Sequence, residues 1–363
     1  MTILPPKTIG IIGGGQLGKM MCLSAKAMGY NVAVLDPTPN CPCGQVADIE
    51  ITAAYNDMAA IKKLAAASDI ITYEFENIDY DALTYLEKNA YLPQGSNVLK
   101  VTQHRFTEKS TISAMGIPVP EFHLIEDAGH LEKIVRYPSV LKTTMGGYDG
   151  KGQIVLKSEA DLPRAKELIN QHECILEDWV PFTKEVSVII ARSVTGETSC
   201  FPVSENIHVN NILHQSIVPA RISKKVEDLA IKYAHMISET LKSVGILAIE
   251  MFVKDEDIYI NELAPRPHNS GHYTIDACLT SQFEQHIRAI CGLPLGNTAL
   301  HTPVVMVNIL GEHMDKPKIP LIPNGKLHLY GKAEAKTGRK MGHMNLLGDI
   351  DNNLKISKEI WGI

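Results

Sequence analysis

"LKTTMGGYDGKGQIVL" (residues 141–156) joins two apolar runs through a loop that holds Gly146, Gly147, Gly150 and Gly152. The pattern predicts a strand ending near Lys142, a glycine-rich loop, and a second strand. Glycine backbone approaches a polyphosphate closely and presents several N–H donors to it. A lysine on the preceding strand adds a point charge for phosphate. A bare surface hairpin would explain the glycines, but Tyr148, Asp149 and Lys151 inside the loop equip it for contact. A Walker A turn would set Gly-Lys-Ser/Thr at the start of a helix. Here "GKGQIVL" runs into a strand, so the loop is not a P-loop.

Downstream, "AIEMFVKDEDIYINEL" (248–263) reads as a hairpin turning at Asp255-Glu256-Asp257. That register sets Glu250 opposite Glu262, Met251 opposite Asn261 and Val253 opposite Tyr259. Alternation then places Ala248, Glu250 and Phe252 on one face with Ile258, Ile260 and Glu262. Two carboxylates directly opposite on a mostly apolar face repel each other. A divalent cation is the simplest compensation, and Mg²⁺ is commonly held by one or two carboxylates plus substrate phosphates. An exposed acidic hairpin edge is the bland alternative; Ile249, Phe252, Ile258 and Ile260 argue for burial instead.

Upstream, "TIGIIGGGQLGKMM" (8–21) has the spacing of a dinucleotide-binding turn, with Asp36 at the distance of a ribose-binding acid. Short apolar runs ("TIGII", "NVAVLD", "DIEIT", "DIITYEF") alternate with helical stretches after Gln16, Asn56 and Asp79, as in a parallel α/β sheet. One long polar helix is expected over 97–116. Short strands follow, then a strong helix from Lys224 with Gly245 as its stop, and a helix near 277–291. The last section, 296–363, is rich in Pro and Gly with strand-like runs "PVVMVNIL", "KLHLYGK" and "GHMNLLG".

The chain has 363 residues, 45% hydrophobic and 21% charged, with a formal charge of −6, so nucleic acid is not the expected partner. No apolar stretch is long enough to span a membrane, and the N-terminus lacks a secretory pattern; a cytoplasmic location is expected. The 7 cysteines are odd in number and scattered, which favours reduced thiols. Cys41 and Cys43 form a close pair without a second pair to complete a zinc site. His268 and His272 have helical metal spacing, but Pro267 and Gly271 break any helix there.

"GGYDGKGQ", "EVSVIIAR" and above all "NELAPRPHNSGHYT" (261–274) resemble the ATP-grasp superfamily, and within it the N5-carboxyaminoimidazole ribonucleotide synthetases of purine biosynthesis. The resemblance spans nearly the whole chain. It implies an ATP-grasp fold, mixed α/β and α+β. Residues 1–104 would form an N-terminal parallel α/β domain, 105–295 the ATP-grasp domain with its glycine-rich lid, and 296–363 a small β-rich C-terminal domain. It implies ATP and Mg²⁺ as cofactors, bicarbonate and 5-aminoimidazole ribonucleotide as small-molecule substrates, and a homodimer. Arg105, Lys142 and the loop Gly147, Tyr148, Asp149, Gly150, Lys151, Gly152 and Gln153 would contact the triphosphate. Glu177, Asp178, Trp179 and Val180 would lie along the adenine edge, Glu185 on the ribose, and His208 beside it. Glu250 and Glu262 would hold the metal, with Asn261 next to them. Tyr148, Asp149, Arg266, His268, Asn269 and Ser270 would serve the ribonucleotide, and Lys332, Arg339 and Lys340 its phosphate. Catalytic roles would fall to Lys142, Tyr148, Asp149 and Arg266.

In this family the N-terminal turn binds acceptor substrate, so Gln16, Leu17 and Glu76 become substrate contacts rather than parts of an NAD site. Three rivals share parts of the pattern. A formate-dependent glycinamide ribonucleotide transformylase differs in its acceptor motif. Biotin carboxylase shares the chemistry, but its Gln-Val-Glu-His stretch is missing. An NAD-dependent oxidoreductase leaves the second glycine loop and the acid pair unexplained.

Overall fold

A computed structural model describes residues 2–147, 150–315, 319 and 322–362. Strands β1 (Thr8–Ile12), β2 (Asn31–Asp36), β3 (Ile49–Thr52) and β4 (Ile70–Tyr73) form a parallel sheet in the order β3-β2-β1-β4. Helices α1 (Gln16–Ala27) and α2 (Met58–Ala67) make the β1–β2 and β3–β4 crossovers, and α3 (Tyr80–Asn89) follows β4. Side chains of Asp57 and Asp79 cap α2 and α3, as sequence-local acceptors for orphan N–H groups. The expected parallel unit is therefore present.

The expected long helix breaks in two, α4 (Asn97–Thr102) and α5 (Arg105–Ala114). His104 is extended, with φ −123° and ψ 106°, and its ring accepts from the Thr107 N–H. Gln103 turns its amide onto the Glu76 and Ile78 carbonyls. A tertiary hydrogen bond outweighs helix continuity at this point, and the break aims Arg105 into the molecule.

A second sheet, antiparallel in the order β5-β8-β6-β7, comprises β5 (Phe122–Ile125), β6 (Ser139–Thr143), β7 (Gln153–Leu156) and β8 (Cys174–Asp178). Helices α6 (Ala128–Ile134) and α7 (Leu162–Gln171) cover it over a core that includes Leu131, Leu141, Leu156 and Leu176.

The largest sheet runs β14-β13-β9-β11-β12-β15-β17-β16, with β10 beside β9. Its strands are β9 (Lys184–Arg192), β10 (Thr198–Cys200), β11 (Ser204–Val209), β12 (Ile212–Val218), β13 (Gly245–Lys254), β14 (Asp257–Ala264), β15 (Val304–Leu310), β16 (Gly325–Leu329) and β17 (Lys340–Leu347). Helix α8 (Lys224–Leu241) packs on it; the helix ends before Gly245 because Lys242 takes the left-handed cap conformation. The expected 277–291 helix resolves into α9 (Thr274–Ala277) and α10 (Gln282–Cys291). The C-terminal strands continue this sheet through the β12–β15 pairing. A helix that the strand-like reading of the tail omitted, α11 (Ile350–Trp361), packs against them through Trp361 and Leu354.

The β13–β14 hairpin corrects the expected register. Glu250 does face Glu262, but Met251 pairs with Ile260 and Val253 with Ile258, because a bulge intervenes between Glu250 and Met251. Asn261 is the extra residue. The bulge moves Ile258 and Ile260 away from Glu262 and into the core beside Ile249, Met251 and Val253.

Candidate active site

The three sheets enclose a cavity of about 610 Å³. On one wall Lys142, at the end of β6, is buried and its Nζ donates to Glu177 Oε2 on β8 at 2.8 Å. Lys109, fully buried on α5, lies 3.6 Å from the same oxygen. Burial works to raise Glu177, but these two ammonium groups hold its carboxyl down at about 2. Gly147, Gly150, Lys151 and Gln153 line the cavity beside Lys142. Gly152 stands behind them with φ +72°, where an added Cβ would fall 2.6 Å from Thr143 Oγ1. Tyr148 and Asp149 lie outside the described residues.

On the facing wall Arg105 Nη1 donates to Glu262 Oε2 at 2.9 Å. Burial, followed by the like charge of Glu262, pushes Glu250 up to about 8. Burial acts on Glu262 too, yet the Arg105 charge and hydrogen bond hold it below the usual carboxylate range. The two acids thus share a site that favours one negative charge fewer than their number. The buried amide oxygen of Asn261 beside them has no hydrogen-bond partner among the described residues. An unpartnered oxygen next to two opposed carboxylates is an oxygen-rich donor set that suits Mg²⁺, with room for phosphate oxygens to complete the coordination.

A third wall is flat and apolar. The rings of Phe182 and Phe252 stack with centroids 4.6 Å apart and planes 6° from parallel, and Val140 and Val155 complete the wall. Asp178, Trp179 and Val180 form its rim. Below it His208 Nδ1 lies 2.9 Å from Glu185 Oε2, and that carboxylate holds the imidazole above its usual pKa against the effect of burial. A planar heterocycle with an attached polyol fits this wall.

At the N-terminal end Gln16 and Leu17 line the cavity, and Arg266 Nη2 meets Glu76 Oε1 at 2.9 Å. His268 Nδ1 accepts from the Ser270 N–H, and its Nε2 lies 3.1 Å from Glu250 Oε1. Burial and the nearby Arg266 charge keep His268 well below its usual pKa, hence neutral. Asn269 lines the cavity and its amide bonds Asn308 at 3.0 Å. Ser270 is fully buried behind it, bonded to Ser187 at 2.7 Å, and so supports the wall rather than facing the cavity. Lys340 lines the cavity; Lys332 donates to the Lys340 carbonyl at 2.7 Å, and exposed Arg339 donates to the Glu334 carbonyl at 3.0 Å. Neither Lys332 nor Arg339 is among the lining residues.

The N-terminal turn explains itself. The Glu74 carboxylate accepts from the Gly15 and Gly18 N–H groups, and Asp36 accepts from Gly14 at 2.7 Å and from the Tyr55 hydroxyl at 2.7 Å. The donors that would cradle a pyrophosphate in a dinucleotide fold are taken by the chain's own acids. Sequence reasoning missed Glu74, Glu108, Lys109, Gln103 and Asn211 around this cavity. Glu108 and Lys109 look like a solvated helix face, and only their partners on β14, far away in sequence, reveal otherwise.

Three family models tile the chain: ribonucleotide synthetase preATP-grasp domain over 6–103, ATP-grasp domain over 110–283, and phosphoribosylaminoimidazole carboxylase C-terminal domain over 304–356. An N5-carboxyaminoimidazole ribonucleotide synthase of Bacillus subtilis is 57% identical over 95% of this chain and 92% of its own. A solved ADP complex of an N5-carboxyaminoimidazole ribonucleotide synthetase superposes with a TM-score of 0.97 at 62% identity, covering 99% of this chain and 98% of the other. The Aspergillus clavatus synthase solved with ADP and 5-aminoimidazole ribonucleotide has a TM-score of 0.89 at 30% identity, covering 97% of this chain and 96% of its own. The cavity walls, the sheet that carries them and these likenesses agree, and the chain belongs to the N5-carboxyaminoimidazole ribonucleotide synthase family of ATP-grasp proteins.

Proposed function

We propose that this cavity carries out the ATP- and bicarbonate-dependent carboxylation of 5-aminoimidazole ribonucleotide to its N5-carbamate, releasing ADP and phosphate. The observation that carries the reading is the convergence of Lys142, Arg105 and the glycine loop on one cavity with the opposed acids Glu250 and Glu262. Phosphates of ATP would lie between these walls, with adenine against Phe182 and Phe252 and the ribose at Glu185 and His208. Glu250 and Glu262 would hold Mg²⁺, which supplies neutralisation of phosphate charge. Lys142, Arg105 and the loop amides add fixed donors for the transferring phosphoryl group. Bicarbonate carbon is shielded by negative charge, and transfer of the γ-phosphoryl group to its oxygen gives carboxyphosphate, from which phosphate can leave. The exocyclic amine of the ribonucleotide then forms the C–N bond. Gln16, Glu76, Arg266, His268 and Asn269 would orient that ribonucleotide, and Lys340, Lys332 and Arg339 its phosphate, with Tyr148 and Asp149 as further contacts. A loop able to exclude water protects the reactive intermediate.

The family-model ranges support boundaries near 104/105 and 295/296. The resemblance supports a homodimer; among the described residues no helix is long and apolar enough to cross a membrane, in keeping with a cytoplasmic enzyme. ADP release tests the reaction. It should require both bicarbonate and 5-aminoimidazole ribonucleotide. Release that ignores the ribonucleotide, or that demands formate and glycinamide ribonucleotide, overturns this reading.

A further inference from the structure

Strand β14 is the outer strand of its sheet, so one of its sides has no neighbouring strand. Side chains of α5 stand in for that strand. Glu108 Oε1 accepts from the Leu263 N–H at 2.7 Å, and Lys109 Nζ donates to the carbonyls of Ile260 at 3.1 Å and Asn261 at 2.7 Å. These three groups flank the bulge, where the regular ladder is interrupted. The same ammonium reaches across to Glu177, the carboxylate that Lys142 grips from the opposite wall.

A lysine with no exposed surface is costly unless its charge and its donors are matched. Among the described residues its two hydrogen-bond acceptors belong to the bulge, and its ion-pair carboxylate is the partner of Lys142. The bulge is what lets adjacent residues, Asn261 and Glu262, both face the cavity with Glu250, since an unbroken strand would turn one of them into the core. We propose that Lys109 is a positioning residue: it pins the β14 bulge from outside the cavity, and so presents Asn261 and Glu262 together to the cation that accompanies the nucleotide, while tying that wall to Glu177 and Lys142.

The proposal rests on the assignment of Glu250 and Glu262 as carboxylates for a divalent cation, and its test separates the two claims. ADP binding is measured by titration calorimetry without metal and with Mg²⁺, in the unaltered protein and in Lys109→Met, Lys109→Gln and Glu262→Gln variants. Outer partners of metal ligands typically contribute about ten-fold or more in metal affinity. Lys109→Met should therefore lose about ten-fold of the Mg²⁺-dependent tightening while metal-free ADP affinity stays within about two-fold. Lys109→Gln, which keeps an N–H donor without the charge, should retain part of it, and carries the comparison if the methionine variant does not fold. Full Mg²⁺-dependent tightening in either folded Lys109 variant, with Glu262→Gln impaired, overturns the positioning role alone. Tightening that survives Glu262→Gln overturns the acid assignment, and the positioning role with it.

Discussion

Arg339 separates a phosphate-binding cation from a solvated one. Its guanidinium is exposed and bonded to the Glu334 carbonyl, so nothing in the packing needs it. It nevertheless follows Lys332 and precedes Lys340, which lines the cavity. If it grips the 5′-phosphate of the ribonucleotide, Arg339→Ala removes a charge-assisted contact of roughly 1.5–3 kcal/mol and raises the ribonucleotide KM about ten-fold or more. Steady-state kinetics should show the KM for ATP and the melting temperature unchanged. A variant with normal ribonucleotide KM and weakened ATP binding moves Arg339 to the nucleotide side. Much of the site was legible at this level. Lys142, the glycine loop and the facing acids announced themselves because each chemistry demands a residue type that a plain core would reject. Lys109 and Glu74 were illegible for the opposite reason. A lysine on a helix and a glutamate after a strand are ordinary until folding brings Asn261 and Gly15 against them.

The bulge in β14 shows where a strand pattern stops predicting. Period-two alternation sets Glu250 against Glu262 correctly, but no local signal marks Asn261 as the extra residue, since Lys109 and Glu108 supply the compensating bonds from another element. The divided helix at His104 has the same origin: its break is decided by the Glu76 and Ile78 carbonyls. Helix α10 offers a parallel case with a sharper test. The buried amide of Gln282, at its first turn, accepts from the His268 N–H at 2.9 Å and donates to the His268 carbonyl at 2.7 Å. One side chain thereby fixes the backbone of the residue that faces Glu250. Gln282→Glu keeps the acceptor but replaces the donor with an oxygen aimed at a carbonyl. We expect a loss of about 1–3 kcal/mol in unfolding free energy. In kinetics, kcat should fall while ADP affinity stays unchanged. Normal kcat in a folded Gln282→Glu enzyme would show that the clamp has no bearing on turnover.

The assembled chain carries several histidines that are buried neutral. His286 on α10 is fully enclosed; its Nδ1 accepts from the Ile246 N–H at 3.1 Å and its Nε2 lies 2.7 Å from Thr72 Oγ1. Burial depresses its pKa to about 3. Burial likewise holds His272 and His343 well below the usual imidazole value. The unfolded chain takes up these protons near pH 6.5 and the folded chain does not, so the stability these histidines contribute is complete above that pH and declines as pH falls through it. Each such group contributes a slope approaching ~1.4 kcal/mol per pH unit. Buried Glu250 and Glu108, both pushed up to about 8, act in the opposite direction over the same range, so the test is the difference between two proteins. Chemical denaturation between pH 7 and 5 should show His286→Gln losing less stability with acid than the unaltered protein, by about one group's share. Parallel stability curves for the two proteins would contradict the buried-neutral assignment of His286.

The β12–β15 pairing has a consequence for how the chain divides. Sequence-defined segments end between Cys291 and Val304, yet Gln215–Val218 is laddered to Val304–Val307. Both stretches are buried. Cutting the chain there would not free an independent nucleotide-binding unit. It would leave a raw seam of apolar residues with open amides, a template on which a second copy could add its own strand. The last sixty residues act as a selvedge, keeping the catalytic fabric from unravelling into aggregates.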